Sequence, residues 1–178
     1  KIFIVSENSL KKALGAYPLT EEVKKITGQV EVSNEILADL QKRISNIEDL
    51  KQALEGLFKA KASQIVEAVL AGALILKASD IHFEPEKENV RVRLRLDGML
   101  EDVVHLPAPI YSLILNRIKL LSGLKLNIRE KPQDGRFSVF SNNSVEIRTS
   151  VLPGAYGENI VMRILDPRVV KINLEDLG

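Results

Sequence analysis

The 178 residues contain no cysteine and no tryptophan, and only 4% are aromatic. Without thiols there can be no disulfide framework, thiolate metal ligand or cysteine nucleophile. The shortage of rings argues against an aromatic-lined pocket and against a stacking platform for single-stranded nucleic acid. A charge excess is missing as well: 25 basic against 24 acidic side chains leave a formal net charge of +1, so nothing draws the whole molecule to nucleic acid or an anionic membrane. The longest apolar run, Ile65 to Leu76, is broken by Glu67 and Gly72 and falls short of the ~18–20 residues that span a bilayer. No signal segment is visible. The phosphate-binding G-x-x-x-x-G-K-[ST] loop is absent, as are G-x-S-x-G and H-E-x-x-H, so this stretch is not expected to turn over a nucleotide or hydrolyse a substrate by itself.

What is present is an aliphatic core-former, 45% hydrophobic, long enough for one compact domain with an appendage. The beginning reads as small helical pieces. Ile2 to Val5 lead into a helix capped by Ser6 and stopped at Gly15, and Thr20, Glu21 and Glu22 open another that ends at Gly28. From Val32 onward Ile36, Leu40, Ile44, Ile47, Leu50, Leu54 and Leu57 recur at helical spacing. Ser45 followed by Glu48 has the form of a capping box, which predicts two helices meeting near Ser45; a short coiled coil is the alternative. Ser63 opens a helix through Lys77 that is apolar on most sides and so belongs against a sheet.

The sheet follows. Strands are predicted over Asp80 to Phe83, Val90 to Leu96, and Met99 to Leu106, the last two joined by the Asp97-Gly98 hairpin signal. Pro107 and Pro109 introduce an amphipathic helix stopped by Gly123, and strands over Arg136 to Phe140, Val145 to Leu152 and Asn159 to Leu165 complete the pattern, with a turn at Ser141-Asn142-Asn143. The fold class is α+β, with a mainly antiparallel sheet.

Arginine is distributed unevenly: nine of ten lie in the second half, Arg91, Arg93, Arg95, Arg117, Arg129, Arg136, Arg148, Arg163 and Arg168. Its planar fork suits carboxylate or phosphate. Arg91, Arg93 and Arg95 fall on one face of a strand, about 7 Å apart, as a cationic stripe for docking to an acidic surface or as an ordinary solvated face. Asp80, His82 and Glu84 alternate in the same way, but three neighbours on one strand cannot converge on one ion without a bulge, and no metal site is expected.

The most distinctive block is Lys131-Pro132-Gln133-Asp134-Gly135-Arg136, followed by Glu146-Ile147-Arg148-Thr149-Ser150 and Gly157-Glu158-Asn159-Ile160-Val161-Met162-Arg163. Together with Ala78-Ser79-Asp80-Ile81-His82-Phe83-Glu84-Pro85, Arg93-Leu94-Arg95-Leu96-Asp97-Gly98 and Leu165-Asp166-Pro167, this series resembles the region before the Walker A domain in the secretion ATPases of type II secretion and type IV pilus assembly, the GspE and PilB kind. The ordered likeness runs from about Ser63 to Asp166, and the first 60 residues are only loosely similar.

The resemblance implies a PAS-like antiparallel sheet with packed helices at 61–166, a small helical segment and linker at 1–60, and a linker at 167–178 toward a RecA-like motor domain. It implies a regulatory and coupling part of a hexameric, cytoplasmic traffic ATPase, peripheral to the inner membrane when assembled, with ATP and Mg in the full-length parent. By motif, Arg136 and Arg148 are the positions that would approach the γ-phosphate of nucleotide held on the motor domain. Pairing with Glu130 or Glu146 is the ordinary structural alternative. Arg91, Arg93 and Arg95 would face intra-ring or platform contacts. The implied partners are the chain's own motor domain, neighbouring subunits of a homo-hexamer and an inner-membrane platform protein, with no nucleic acid and no direct membrane insertion. Lys131 and Asn159 stand where the family often has arginine, so two possible cationic contacts are weakened or missing. A different class, a non-enzymatic PAS-like sensor or adaptor that binds a small ligand or a protein, fits the same fold.

Overall fold

The computed structural model describes residues 6–9, 28–31, 40–140 and 144–166. The strand β1 (Gln29–Glu31) comes first, then helices α1 (Ile47–Glu55) and α2 (Ala62–Ile75), and strands β2 (Asp80–Pro85), β3 (Asn89–Leu96) and β4 (Met99–Pro107). Helix α3 (Ala108–Leu121) leads to β5 (Gln133–Phe140), β6 (Ser144–Gly154) and β7 (Gly157–Leu165). The seven strands form one sheet in the order β1-β5-β6-β7-β2-β3-β4. Six of them are antiparallel neighbours, and β1 adds a parallel edge beside β5. The α+β class is as expected. Among the described residues, no helix is long and apolar enough to cross a membrane.

Local chemistry explains most boundaries. At the β3–β4 turn both Asp97 (φ 48°) and Gly98 (φ 84°) take positive φ, the signature of a type I′ turn whose twist matches the strands it joins. Helix α3 ends in a Schellman arrangement. Gly123 sits at φ 71°, its N–H donates to the Leu120 carbonyl, and the Leu124 N–H donates to the Lys119 carbonyl at 2.8 Å. Residues 7–9 are helical and the Ser6 hydroxyl accepts from the Ser9 N–H, as its cap assignment predicts. The Ser45 assignment is off by one residue. Asn46 is the cap of α1, accepting from the Asp49 N–H at 3.0 Å, while the Asp49 carboxylate accepts from the Ser45 N–H at 2.8 Å. Asp49 therefore takes the place expected of Glu48. The helix ending at Gly15, the stretch from Thr20 to Ile26, the stripe from Val32 to Asp39, the turn at 141–143 and the segment 167–178 lie outside the described residues.

β1 is an unpredicted element. Gln29, Val30 and Glu31 pair with Ser138, Val139 and Phe140, and the Gly28 N–H reaches the Leu121 carbonyl at 3.0 Å. Three residues are too few to show a period of two, so only the exposed edge of β5 gives this segment its conformation.

One core lies between the helices and one face of the sheet. Ile65, Val69, Leu70, Ile81, Phe83, Leu94, Leu106, Ile114, Ile118, Ile147, Val151, Ile160 and Met162 are buried there, together with Val30, Ile44, Leu50 and Leu54 from before residue 60. α1 and α2 approach closely because Gly72 has no side chain: a Cβ there would lie 2.3 Å from the Leu50 Cδ1. The opposite face of the sheet carries the polar residues that alternate with these along the strands, and it is where the candidate side chains stand.

Candidate functional site on the polar face of the sheet

Strand register sets the site. Arg136 on β5 lies directly opposite Arg148 on β6, Arg148 opposite Arg163 on β7, Arg163 opposite Asp80 on β2, and Asp80 opposite Arg95 on β3. Side chains directly opposite one another on neighbouring strands share a face, so these five form one row across the sheet. In the next row Asp134, Ser150, Val161, His82, Arg93 and Asp102 follow one another in the same way.

The block Gln133-Asp134-Gly135-Arg136 is built so that its first three residues hold the fourth. The Gln133 side-chain oxygen accepts from the Lys125 N–H at 2.9 Å, and its amide nitrogen donates to the carbonyls of Lys125 and Ile128 at 3.0 and 2.9 Å. This clamps the loop between α3 and β5. Asp134 accepts from the Ser150 hydroxyl at 2.6 Å, and Gly135 lets the strand pass against the end of α3. In Arg148-Thr149-Ser150, Thr149 is buried and shares a 3.0 Å hydrogen bond with the Ser122 hydroxyl. Gln133, Asp134, Thr149 and Ser150 are thus engaged internally, while Arg136 and Arg148 stay 77% and 69% exposed. Among the described residues the acid near both is Glu146, with contacts of 3.9 and 3.8 Å to its Oε1, beyond hydrogen-bond range. Like charges directly opposite on a sheet repel, and one distant carboxylate offsets two guanidiniums only partly. Chemically, two exposed guanidinium forks so incompletely neutralised can accept an anion.

Arg91, Arg93 and Arg95 share a face as expected, but acids on β2, β4 and the β2–β3 turn are interleaved with them. Arg91 meets Glu84 at 3.1 Å and Glu86 at 3.3 Å, Arg93 meets Asp102 at 2.9 Å and Arg95 meets Asp80 at 3.2 Å. The stripe is a charge-compensated ladder. A bulge in β4 produces part of it: Val92 pairs with Val104 and Arg93 with Asp102, so Val103 is the extra residue. Both valines then face the core, and Asp102 rather than Val103 comes opposite Arg93.

Two titrating groups in the ladder are perturbed. Burial would raise the Asp80 carboxyl, but hydrogen bonds from Arg163 and Ser79 and the charges of Arg163 and Arg95 outweigh it and hold it below 3.8. Burial holds His82 below its ordinary 6.5; Arg95 and Arg93 push the same way, against Glu84 and Asp80. A depressed native value means that the unfolded chain takes up the proton first as pH falls. The stability tied to His82 is thus complete above pH 6.5 and is lost below it, through the lower native value. That of Asp80 is present above 3.8 and lost as pH falls through its native value. Urea denaturation between pH 7.5 and 5 is expected to show stability declining toward acid, and His82→Gln is expected to flatten that decline; an identical slope in the variant would reject the assignment.

Sequence reasoning missed a buried ion pair. Lys119 on α3, fully buried, meets the Glu158 carboxylate at 2.5 Å and donates to the Ile128 carbonyl at 2.8 Å, and Glu158 is only 7% exposed. The Tyr111 hydroxyl donates to the Glu158 carbonyl. Lys119 thus ties the β6–β7 turn and the loop under Gln133 to one helix. Asn159 packs its side chain amide over Gly154. Arg163 was within reach of sequence reasoning, because a hairpin turning at Gly154 to Gly157 brings position 163 opposite 148. A cleft of about 310 Å³ opens beside α3, lined in part by Asn89, Tyr111, Leu115, Tyr156 and Glu158. Arg136 and Arg148 are not part of it.

Residues 58–178 match the type II/IV secretion system protein family. The chain belongs to that family. It is 44% identical over 117 residues to a type IV pilus assembly ATPase, TfpB, of Acinetobacter baylyi, covering 65% of this chain and 20% of that protein. It is 31% identical to the type IV pilus assembly ATPase PilB of Myxococcus xanthus, covering 98% of this chain and 31% of that protein. With type II secretion system protein E of Dickeya dadantii it shares 32% identity over 160 residues, 89% of this chain and 31% of that protein. The chain therefore spans about a fifth to a third of the length of these relatives. As a secretion system family member it carries the arginine row within the matched residues.

Proposed function

We propose that this chain is the N-terminal coupling part of a cytoplasmic, hexameric ATPase that powers type IV pilus assembly or type II secretion. Arg136 and Arg148 approach the terminal phosphate of ATP bound on a C-terminal motor domain, and their engagement reports whether that phosphate is present. The observation that carries this reading is the pair itself: two facing, exposed guanidiniums flanked by Asp134, Thr149 and Ser150, whose side chains are hydrogen-bonded internally. Fork-shaped cations of this kind bind phosphate oxygens bidentately and offset charge as it develops in phosphoryl transfer. The relatives' names supply the nucleotide and the process. A row of guanidiniums does not fit a metal ion, so the Mg²⁺ that accompanies ATP has its ligands on the motor domain. Arg91, Arg93 and Arg95, already paired along the sheet, contribute to contacts within the ring or with the inner-membrane platform as part of a mixed-charge surface.

The test is Arg136→Ala and Arg148→Ala in the full-length ATPase. Each removes charge-assisted hydrogen bonds to phosphate, and turnover is expected to fall roughly 10- to 100-fold with the ring still assembling on size-exclusion chromatography. Both side chains are exposed, so folding is preserved. Turnover unchanged in both variants would reject the reading.

A further inference from the structure

The row of facing residues does not stop at the two arginines. Arg163 lies directly opposite Arg148 on the far side from Arg136, so three guanidiniums stand on three successive strands about 5 Å apart. Arg163 is 66% exposed, yet it is the one whose position is set. Its Nε donates to the Asp80 Oδ1 at 2.9 Å, and the Asp80 side chain is only 5% exposed. The hydrogen bond and the ion pair to Asp80 are both made through Nε rather than through the outer Nη groups. The second Asp80 oxygen accepts from the Ser79 hydroxyl at 2.9 Å and from the Arg95 Nε at 3.2 Å, and Arg95 in turn donates to the Gly98 carbonyl at 2.9 Å. The backbone repeats the tie, because the Ile164 N–H donates to the Ser79 carbonyl and the Ser79 N–H donates to the Arg95 carbonyl, both at 2.9 Å. Asp80 is thus a buried fulcrum with an arginine on either side. One of them closes the β3–β4 hairpin, and the other leads into the exposed row.

We propose that Arg163 is a third arm of the phosphate-binding row and that Asp80 is its positioning residue. This rests on the assignment of Arg136 and Arg148 above. Gripping Arg163 at Nε leaves the Nη edge to meet an anion, and the carboxylate limits the repulsion that Arg148 would otherwise exert on it. Lysine would not substitute, because a single ammonium engaged by Asp80 leaves no second edge for the ligand. The ladder on β2 to β4 also becomes connected to the nucleotide: a pull on Arg163 is transmitted through Asp80 to Arg95 and the β3–β4 turn.

The experiment measures dissociation constants for ATPγS and for ADP in the full-length ATPase carrying Arg163→Ala, Arg163→Lys, Asp80→Asn and the double variant Asp80→Asn with Arg163→Ala, beside Arg136→Ala and Arg148→Ala. A group that meets the terminal phosphate changes the ratio of the two constants, whereas a merely structural loss shifts both together. Arg163→Ala and Arg163→Lys are expected to reduce the preference for ATPγS about tenfold. Asp80→Asn is expected to do most of the same, and the double variant to add little beyond Arg163→Ala, because coupled residues are non-additive. An unchanged ratio in Arg163→Ala, with a reduced ratio in Arg136→Ala and Arg148→Ala, would overturn the third arm and leave the earlier reading standing. An additive Asp80→Asn effect, or none, would overturn the positioning role. An unchanged ratio in all the arginine variants would overturn both readings together.

Discussion

Lys119→Ala is expected to lower the stability of the chain by about 3–5 kcal/mol, the loss seen when one partner of a buried ion pair is removed. The side chain has no exposure, and its ammonium serves both the Glu158 carboxylate and the Ile128 carbonyl. Without it Glu158 remains buried beside the Tyr111 ring with no cation, and a loop carbonyl loses its charged donor. A domain has only about 5–15 kcal/mol to lose, and each kcal/mol moves the melting temperature by about 2–4 °C at this length. Lys119→Met separates charge from volume. It restores packing but leaves the carboxylate unpaired, so it is expected to lose nearly as much, while Lys119→Met with Glu158→Met is expected to recover most of the loss. Thermal and urea unfolding of the four proteins check this; a single variant within 1 kcal/mol of the parent would show that the pair contributes little.

Gly135→Ala is the second large effect, and it joins stability to the site. A Cβ at position 135 would lie 2.2 Å from the Ser122 carbonyl oxygen and 2.8 Å from the Leu124 Cδ2. The first of these is backbone at the end of α3, fixed by the Schellman turn and by the Ser122 to Thr149 hydrogen bond. It cannot swing aside as a flexible side chain would. Overpacking of this kind costs about 1–3 kcal/mol and occasionally more, and a rigid obstacle places Gly135→Ala at about 3 kcal/mol. Arg136 follows in the chain, so the strand shift that relieves the clash also breaks its register with Arg148. A melting temperature within a degree or two of the parent would refute the crowding, and a stability loss with unchanged nucleotide preference would separate it from the arginine row.

Much of the fold was legible because local rules and tertiary structure agreed. Alternation from Val90 to Leu96 gave a strand and its faces, Asp97-Gly98 gave the turn, and Gly123 gave the end of α3. The one-residue error at Ser45 came from two adjacent cap-forming residues, with the capping carboxylate on Asp49 rather than Glu48. β1 was not legible because a three-residue edge strand is specified by its neighbour. The compensation of Arg91, Arg93 and Arg95 was hidden for a related reason: the Val103 bulge shifts the phase of β4, and only the shifted phase puts Asp102 opposite Arg93.

By itself the sequence determined the alternation of core and polar faces, the turns, the absence of a phosphate-binding loop and, through its ordered blocks, the family. These depend on neighbours a few residues apart. Tertiary structure alone decided which charges meet. Lys119 and Glu158 come from α3 and β7, and Asp80 and Arg163 from opposite ends of the sheet domain in sequence. Whether a buried acid gains a cation, or an exposed guanidinium is left without an acid, depends on strand order and register across the whole sheet. That is why Arg136 and Arg148 were recognisable as motif residues, while the row they form with Arg163 emerged only when the strands were paired.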